Sequence, residues 1–346
     1  MGARPAVAPP LPGAGVSRPR GRPTLEPHRI HEYLLDSPGA QAGRRTHARR
    51  RVDTSRGGSV AKVRIGACSW KFPSWEGLVY SAPEGIDYLS EYAGQFDTVE
   101  IDQWFWSLFG PDTIGLPKVD DVARYLQAVP KDFAFTIKAP NSVTLTHFYR
   151  RDPKHGGSPN PYFLSLPLLQ DFLSYIEPMR TQTAAVMFQF EYLNKQKMRD
   201  LPAFIETMKP FVETLPDGWT YALETRNPPY LRREFFEFLA GHGVSPVLVD
   251  GYYLPPVRKT FETARPWLRS PVVIRLMGPD RQGIEKLTKK RWNQVVQPMD
   301  ETLDDVAEII STVVADGHEV IVNINNHFEG SAPITIRKLQ ERIQAL

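Results

Sequence analysis

The stretch Val320–Pro333, VIVNINNHFEGSAP, begins as an apolar β-branched run and then changes to two asparagines, a histidine, an acid and a glycine. Its first half is typical of a strand buried on both faces. Seven other short runs of this kind occur in the chain: Val63–Cys68, Phe96–Ile101, Phe133–Lys138, Ala184–Phe190, Trp219–Glu224, Pro246–Asp250 and Val272–Leu276. A polar residue lies within one position of the end of every run, so the ends of the strands predict a shared polar surface.

Segments with apolar residues at spacings of three and four separate these runs, as in DDVAEIISTVV at 304–314. We predict helices at Tyr88–Ala93, Asp121–Val129, Phe163–Ile176, Lys195–Leu215, Leu231–Ala240, Lys289–Val296, Leu303–Ala315 and Ile334–Ala345. The proline-rich segment between the sixth and seventh strands is expected to be mostly loop.

Strands that alternate with helices predict a parallel sheet, and eight repeats match the size of a single (β/α)8 TIM-type barrel. The alternative is an open doubly wound sheet. Such a sheet usually carries a glycine-rich phosphate loop after its first strand, where this chain has CSWKFPSW. The sequence therefore favours an α/β barrel.

The basic charge of the chain is concentrated at its start. Residues 1–59 carry 11 Arg, no Lys and 4 acidic residues, net +7, whereas the remainder carries 31 basic and 35 acidic residues, net −4. The first segment is rich in Arg, Pro and Gly and lacks an apolar period, so we expect a disordered extension, or a start codon assigned upstream of the natural one. We place the barrel domain at residues 60–346.

The same features limit the classes of partner and compartment. No stretch approaches 18 uninterrupted apolar residues, so no membrane span is expected. The single cysteine, Cys68, cannot form an intramolecular disulfide, and a reducing cytoplasmic location is the default. The acidic balance after residue 59 makes a nucleic-acid partner an unfavoured prediction. The sequence does not indicate an oligomeric state.

The strand ends supply the candidate site residues, since a (β/α)8 barrel builds its active site there. Glu100, Glu224, Lys138, His147 and His327 are candidate catalytic groups, because carboxylates, lysine and histidine carry protons. The candidate ligand-binding residues are Trp70, Asp102, Gln189, Arg226, Asp250, Arg275, Asn325 and Asn326. Lys138, Arg226 and Arg275 would form a clamp for a carboxylate, phosphate or sulfate.

Each of these residues also has a purely structural interpretation. Glu224 and Arg226 could neutralise one another, and Asp250 could pair with Arg275. The aromatic residues that follow the first two strands could form a stacking wall for a ligand or a hydrophobic lid. Cys68 is a weaker nucleophile candidate, because no base within its reach can be named from sequence.

We predict no dedicated metal site and identify no cofactor motif. The histidines lack the HExxH spacing or another recognisable ligand pattern. One divalent ion could still be held by Glu100, Asp102, Glu224 or Asp250.

Eight blocks of sequence resemble, in order, the motifs of the YecE-like family, also called the domain of unknown function 72 family. The blocks are GACSWKFPSWEGLVY, YAGQFDTVEID, FAFTIKAP followed by TH, MFQFEY, ALETRNPPY, VLVD, VIRLMGPDR and NINNHFEGSAP. The resemblance runs from about residue 62 to the C-terminus and implies a TIM-type barrel without an established reaction.

The resemblance also points to individual positions. It carries over to Trp70, Trp75, Gly77, Tyr80, Phe96, Asp97, Glu100, Lys138, His147, Gln189, Glu224, Arg226, Asp250, Arg275, Gly278, Asn325, Asn326, Gly330 and Ala332. The chain departs from the family pattern at Asp102, where Asn is usual, at the NPPY turn after the fifth strand, and at Asn323, where an apolar or aromatic residue is usual. These departures indicate a divergent subgroup.

Together these features predict an enzyme that acts by acid-base catalysis on a small, polar, anionic, sugar-like or phosphorylated metabolite. The reaction class stays open among isomerase, lyase and hydrolase. The alternatives are a metal-dependent nucleic-acid phosphodiesterase and a barrel that binds a ligand without transforming it.

Overall fold

Eight parallel strands form a closed barrel in the computed structural model, which describes residues 61–346. The strands are β1 Val63–Ala67, β2 Thr98–Ile101, β3 Ala134–Lys138, β4 Thr183–Gln189, β5 Tyr221–Glu224, β6 Val244–Gly251, β7 Val272–Gly278 and β8 Val320–Ile324. Each strand pairs with its neighbours in sequence order, and β8 closes onto β1 from Val63–Val320 to Ala67–Ile324. The predicted α/β barrel is confirmed, whereas the predicted extension at residues 1–59 lies outside the described residues.

Helices surround the barrel in the described part of the chain. They are α1 Tyr88–Ala93, α2 Val119–Ala128, α3 Asn141–Thr144, α4 Leu166–Ile176, α5 Leu201–Val212, α6 Arg233–Gly241, α7 Val257–Ala264, α8 Arg281–Thr288, α9 Asp300–Ala315 and α10 Ala332–Ala345. A short antiparallel hairpin of Leu108–Gly110 and Thr113–Ile114 follows β2. None of these helices is both long and apolar enough to cross a membrane.

Local sequence explains where several helices begin. The Asp87 carboxylate accepts hydrogen bonds from the backbone N–H groups of Leu89 and Ser90 at the start of α1. Ser165 and Asp200 cap α4 and α5 in the same way. These side chains satisfy N–H groups that have no partner inside the helix, so they fix the first turn.

One helix prediction and one loop prediction are wrong. The helix expected at Lys289–Val296 lies earlier, at α8, because Asp280 caps its first turn through the N–H of Gly283. Lys289 and Lys290 have φ angles of 53° and 60°, which end the helix in the left-handed region.

The segment between β6 and β7, expected to be mostly loop, contains α7. Its residues Val257, Phe261 and Ala264 are buried. They recur at spacings of four and three and therefore lie on one face of the helix. Prolines at the two ends of the segment hid this period, although the helix itself contains none.

The interior of the barrel changes from apolar to polar towards the carboxyl ends of the strands. Small and medium side chains such as Ala185, Ala222 and Val247 pack together inside. Thr136 of β3, which is in register with Ala185, accepts a hydrogen bond from the Asn323 amide of β8 at 2.9 Å. Asn323 also pairs in register with Arg275 of β7, so the polar layer leads directly to the charged residues at the barrel mouth.

Candidate active site at the carboxyl ends of the strands

A cavity of about 340 Å³ opens at the carboxyl ends of the strands. It is large enough for a small metabolite. The structure brings nine of the thirteen predicted site residues to its wall: Glu100, Asp102, Lys138, Gln189, Arg226, Arg275, Asn325, Asn326 and His327.

Arg275 forms the floor of the cavity and is 2% exposed. Its Nε and Nη2 each lie 2.8 Å from one oxygen of Glu100, which makes a two-point ion pair. Nη1 donates to Glu224 and to the side-chain oxygen of Gln189, and Nη2 also points to the Cys68 sulfur at 3.9 Å. A guanidinium has five N–H groups, and all five already have a protein acceptor. Arg275 therefore organises the floor and has no donor left for a ligand.

Glu224 lies beneath the cavity between two guanidinium groups. It is fully buried, and its two oxygens lie 2.5 Å from Arg275 Nη1 and Arg226 Nη2. Burial alone would raise the pKa of this carboxyl, but Arg226 and Arg275 outweigh it and hold the pKa below its ordinary value. Glu224 is therefore a fixed anion that positions both arginines.

The pKa values of Glu100 and Asp102 are raised, whereas that of Glu224 is lowered. Burial raises the pKa of Glu100, and the attraction of Arg275 and Lys138 offsets only part of that effect. Burial likewise raises the pKa of Asp102, which also interacts with Ser69. Asp102 is half-buried, whereas Glu100 is fully enclosed and held by Arg275. Of the two carboxyls, Asp102 is the more accessible proton carrier.

Lys138 has no anionic partner in direct contact, although it is 7% exposed. No acceptor oxygen among residues 61–346 lies within hydrogen-bonding distance of its Nζ, which instead lies 3.8 Å from the centre of the Phe105 ring. Burial lowers the pKa of Lys138, and Arg275 lowers it further, against the pull of three carboxylates. Lys138 is therefore a buried amine that remains available to a ligand.

Arg226 is the second basic residue of the cavity with N–H groups available to a ligand. Its guanidinium lies 4.4 Å from the centre of the Tyr252 ring and contacts Glu224 through one nitrogen. The remaining N–H groups have no acceptor in the described part of the chain. Because Arg226 and Tyr252 both line the cavity, they present a flat cationic and aromatic surface to its contents.

His327 is already held at both ring nitrogens. Nδ1 lies 2.5 Å from the side-chain oxygen of Asn325, and Nε2 lies 3.1 Å from a Glu285 oxygen. The same Asn325 oxygen accepts the backbone N–H of His327 at 2.9 Å, which fixes the orientation of the amide. His327 consequently shapes the wall but has no free nitrogen for a ligand.

The side-chain oxygen of Asn326 is hydrogen-bonded within the protein, whereas its amide nitrogen is available to a ligand. Its oxygen accepts the backbone N–H of Ala332 at 2.9 Å and so holds the start of α10. Its amide nitrogen has no partner among residues 61–346 and lies at the cavity.

The structure does not bring Trp70, His147 and Asp250 to the cavity. Trp70 is buried against Tyr125 of α2, with ring centres 5.1 Å apart. His147 contacts the Thr146 hydroxyl at 2.9 Å and lines a separate surface groove. Asp250 accepts the backbone N–H of Val257 and fixes the start of α7. Each of these three residues contacts other parts of the protein and not the cavity.

Sequence reasoning missed several residues of the wall, among them Tyr149, Tyr252, Arg281 and Trp292. Arg281 ends the motif VIRLMGPDR and Tyr252 directly follows the sixth strand, so their positions carried a usable signal. Trp292 lies in a segment that was expected to be helical, which hid it.

The aromatic residues after the first two strands lie in two different places. Trp75 and Tyr80 are buried in the core, whereas Phe72, Phe105 and Trp106 line the cavity, and Trp106 is half exposed.

Cys68 is a poor nucleophile in this site. Burial strongly raises the pKa of its thiol, Glu100 raises it further, and Arg275 offsets only part of this. Separately, no group of three or more His, Cys, Asp or Glu side chains in the described part of the chain is arranged to hold a metal ion.

Comparisons with known proteins agree with the barrel. The family model described as protein of unknown function DUF72 matches residues 64–346. A DUF72 family protein from Thermotoga maritima MSB8 is 22% identical, with a TM-score of 0.56 over 82% of this chain and 99% of the other. A DUF72 family protein from Enterococcus faecalis V583 is 20% identical, with a TM-score of 0.56 over 82% and 95%. No curated protein matches the chain. At these identities the likeness to the solved structures shows a shared fold.

Proposed function

The chain belongs to the DUF72 family of proteins of unknown function, and we propose that it is an enzyme acting at the mouth of its barrel on a small anionic metabolite. The substrate class is a sugar-like or phosphorylated molecule, and the chemistry is acid-base catalysis. The arrangement of the three cations of the mouth supports this proposal more than any other observation.

Arg275 is saturated by protein acceptors, whereas Lys138 and Arg226 face the same cavity with unused N–H groups. Shielding N–H groups of a charged side chain from water without giving them acceptors costs free energy. An anionic ligand would supply the missing acceptors. The unused N–H groups of Lys138 and Arg226 therefore support binding of a carboxylate or phosphate.

Asp102 and Lys138 are the proton carriers of the proposal. Burial raises the pKa of Asp102 and lowers that of Lys138, so both shift towards neutrality. Groups with a pKa near the working pH transfer protons most effectively. Glu224, a sequence-based candidate for this role, instead holds Arg226 and Arg275. The half-exposed ring of Trp106 at the rim offers an apolar face to a sugar ring.

A thermal-shift screen of the full chain tests the proposal against phosphorylated sugars, sugar acids, nucleotides and divalent metals. One class of anion should raise the Tm by several degrees, since a ligand at about 100 times its Kd adds about 2.7 kcal/mol. The shift should disappear in Arg226→Ala and persist in Arg233→Ala, because Arg233 is exposed on α6. If well-folded protein shows no shift with any anion, the anion site is refuted.

A binding class found in this way directs the search for turnover. Asp102→Asn should then keep the thermal shift and lose most of the turnover. Equal turnover in the variant and the wild type would remove Asp102 from the chemistry.

A further inference from the structure

Lys138 differs from the other shielded lysines of the described chain. Lys197 and Lys338 lie 2.5 and 2.6 Å from carboxylates of Glu191 and Glu329, so each has a structural ion pair. Lys138 is more deeply buried than either, has no ion pair within 4.0 Å and points into the cavity. A structural ion pair therefore explains the shielding of Lys197 and Lys338 but not that of Lys138.

The surroundings of Lys138 make its amine easier to deprotonate. One face of Nζ meets the Phe105 ring, which attracts an ammonium but accepts no charge-assisted hydrogen bond from it. Arg275 adds a second positive charge nearby, and together with burial it lowers the pKa of Lys138. A neutral amine in a desolvated pocket is the activated form of lysine towards carbonyl groups.

We propose that Lys138 is the nucleophile of this cavity and forms an imine with an anionic aldehyde or ketone whose carboxylate or phosphate is bound by Arg226. This inference rests on the proposed function, because it uses the same anion site and names the reactive group of the substrate. Metabolites of this class are 2-oxo acids and phosphorylated aldehydes or ketones.

The reaction at Lys138 proceeds in two balanced steps. The lone pair of Nζ attacks the carbonyl carbon, and a C–N bond forms as the C=O π bond breaks and its electrons move to oxygen. That oxygen gains a proton and Nζ loses one, which gives a carbinolamine. A second proton then expels that oxygen as water while the nitrogen lone pair forms the C=N bond. Asp102 supplies protons in both steps, since it lines the same cavity and its raised pKa keeps more of it protonated. Protons released from the nitrogen balance those consumed.

The contacts of Arg226 and Lys138 indicate which of them binds the anion and which reacts with the carbonyl group. Arg226 is held by Glu224 and stacked on Tyr252, so it presents a fixed donor edge suited to an anion. Lys138 is free to react because the anion of the substrate is bound elsewhere. A purely electrostatic role for Lys138 would need only its charge, which Lys138→Arg supplies, so turnover that survives in Lys138→Arg would refute the nucleophile.

Reductive trapping tests the proposal with the full chain. The protein is incubated with sodium cyanoborohydride and, in turn, glyoxylate, pyruvate, glycolaldehyde phosphate and dihydroxyacetone phosphate. Mass spectrometry of the intact protein and its peptides then locates any reduced adduct. Lactate and glycerol phosphate, which lack the carbonyl, serve as matched probes in parallel thermal-shift measurements.

At least one carbonyl probe should modify Lys138 more than the exposed Lys118, because a lowered pKa raises the fraction of neutral amine. The adduct should disappear in Lys138→Met and in Lys138→Arg, and persist in Lys118→Met. The arginine variant keeps a long basic side chain at this position and so controls for a simple loss of folding.

The failure of the imine and the failure of the anion site give different results. If carbonyl-free probes raise the Tm but no carbonyl probe modifies Lys138, the imine is refuted and the anion site stands. If no probe shifts the Tm and Lys138 stays unmodified, both are refuted. Labelling spread evenly over surface lysines also refutes the proposal.

Discussion

Replacing Arg275 by methionine should strongly destabilise the barrel, because it removes the cation that neutralises Glu100. Glu100 is fully buried, and both of its hydrogen bonds come from Arg275. Glu224 keeps Arg226 as a second partner, so one carboxylate rather than two loses its neutralising cation. Breaking a buried pair costs about 3–5 kcal/mol. At about 2–3 °C for each kcal/mol in a domain of this size, the Tm should fall by about 6–15 °C at pH 7.

The loss in Arg275→Met should depend on pH in a defined direction. Burial already raises the pKa of Glu100, and removing the guanidinium raises it further. A folded pKa above the unfolded one favours the protonated carboxyl in the native state. The variant should therefore be least destabilised below the ordinary pKa of a glutamate and lose stability as the pH rises through the folded pKa.

Two further variants control for this interpretation. Adding Glu100→Gln to Arg275→Met removes the unpaired charge and should recover part of the lost Tm. Arg265→Met breaks an exposed two-point pair with Asp316, at 2.8 and 2.9 Å, and should change the Tm far less because solvent screens it. Equal effects of Arg275→Met and Arg265→Met, or no recovery with Glu100→Gln, would show that the buried network does not contribute as argued.

Three other predictions concern residues around the cavity. The pKa of Glu285 is held at about 2, chiefly by its hydrogen bond with an arginine one turn earlier, so it contributes stability that is lost as the pH falls. The Tm deficit of Glu285→Gln should consequently close between pH 4.5 and about 2. Gly278→Ala should destabilise more than Gly317→Ala in urea unfolding. Both have positive φ, but a Cβ at Gly278 would lie 2.2 Å from a backbone oxygen, whereas Gly317 has open space. Thr136→Val should cost about 1–3 kcal/mol by leaving the Asn323 amide unpaired, and an apolar replacement of Asn323 should recover part of it in calorimetry.

The sequence was sufficient to predict the barrel because each strand and most helices carry their own periodic signal. The apolar run Val320–Ile324 is the observed β8, and Tyr88–Ala93 is the observed α1. The error at Lys289–Val296 arose where a capping aspartate and two left-handed lysines, rather than an apolar period, set the helix ends. Local hydrogen bonding overrode the pattern there.

The membership of the cavity was only partly predictable, since sequence places a residue at a strand end without giving the direction of its side chain. Asp250 ends a strand like Glu224, yet its carboxylate turns outward to cap α7. Trp70 follows β1 and packs outside the barrel on α2. Sequence also could not show that Arg275 is saturated while Lys138 is free, because that depends on which side chains meet across the barrel.

Asp102 offers a final test, because it lines the same cavity as Lys138 and its charge acts on that amine. In Asp102→Asn the carboxyl that supplies protons is lost, and so is a negative charge that raises the pKa of Lys138. The two losses act differently on reductive trapping. The acidic limb of the pH profile should move to lower pH, since the amine deprotonates more readily. The maximal rate should fall by about 10²–10⁴-fold, the usual contribution of a general acid or base. A shifted limb with an unchanged maximum would mean that Asp102 tunes Lys138 electrostatically and that the proton comes from another group.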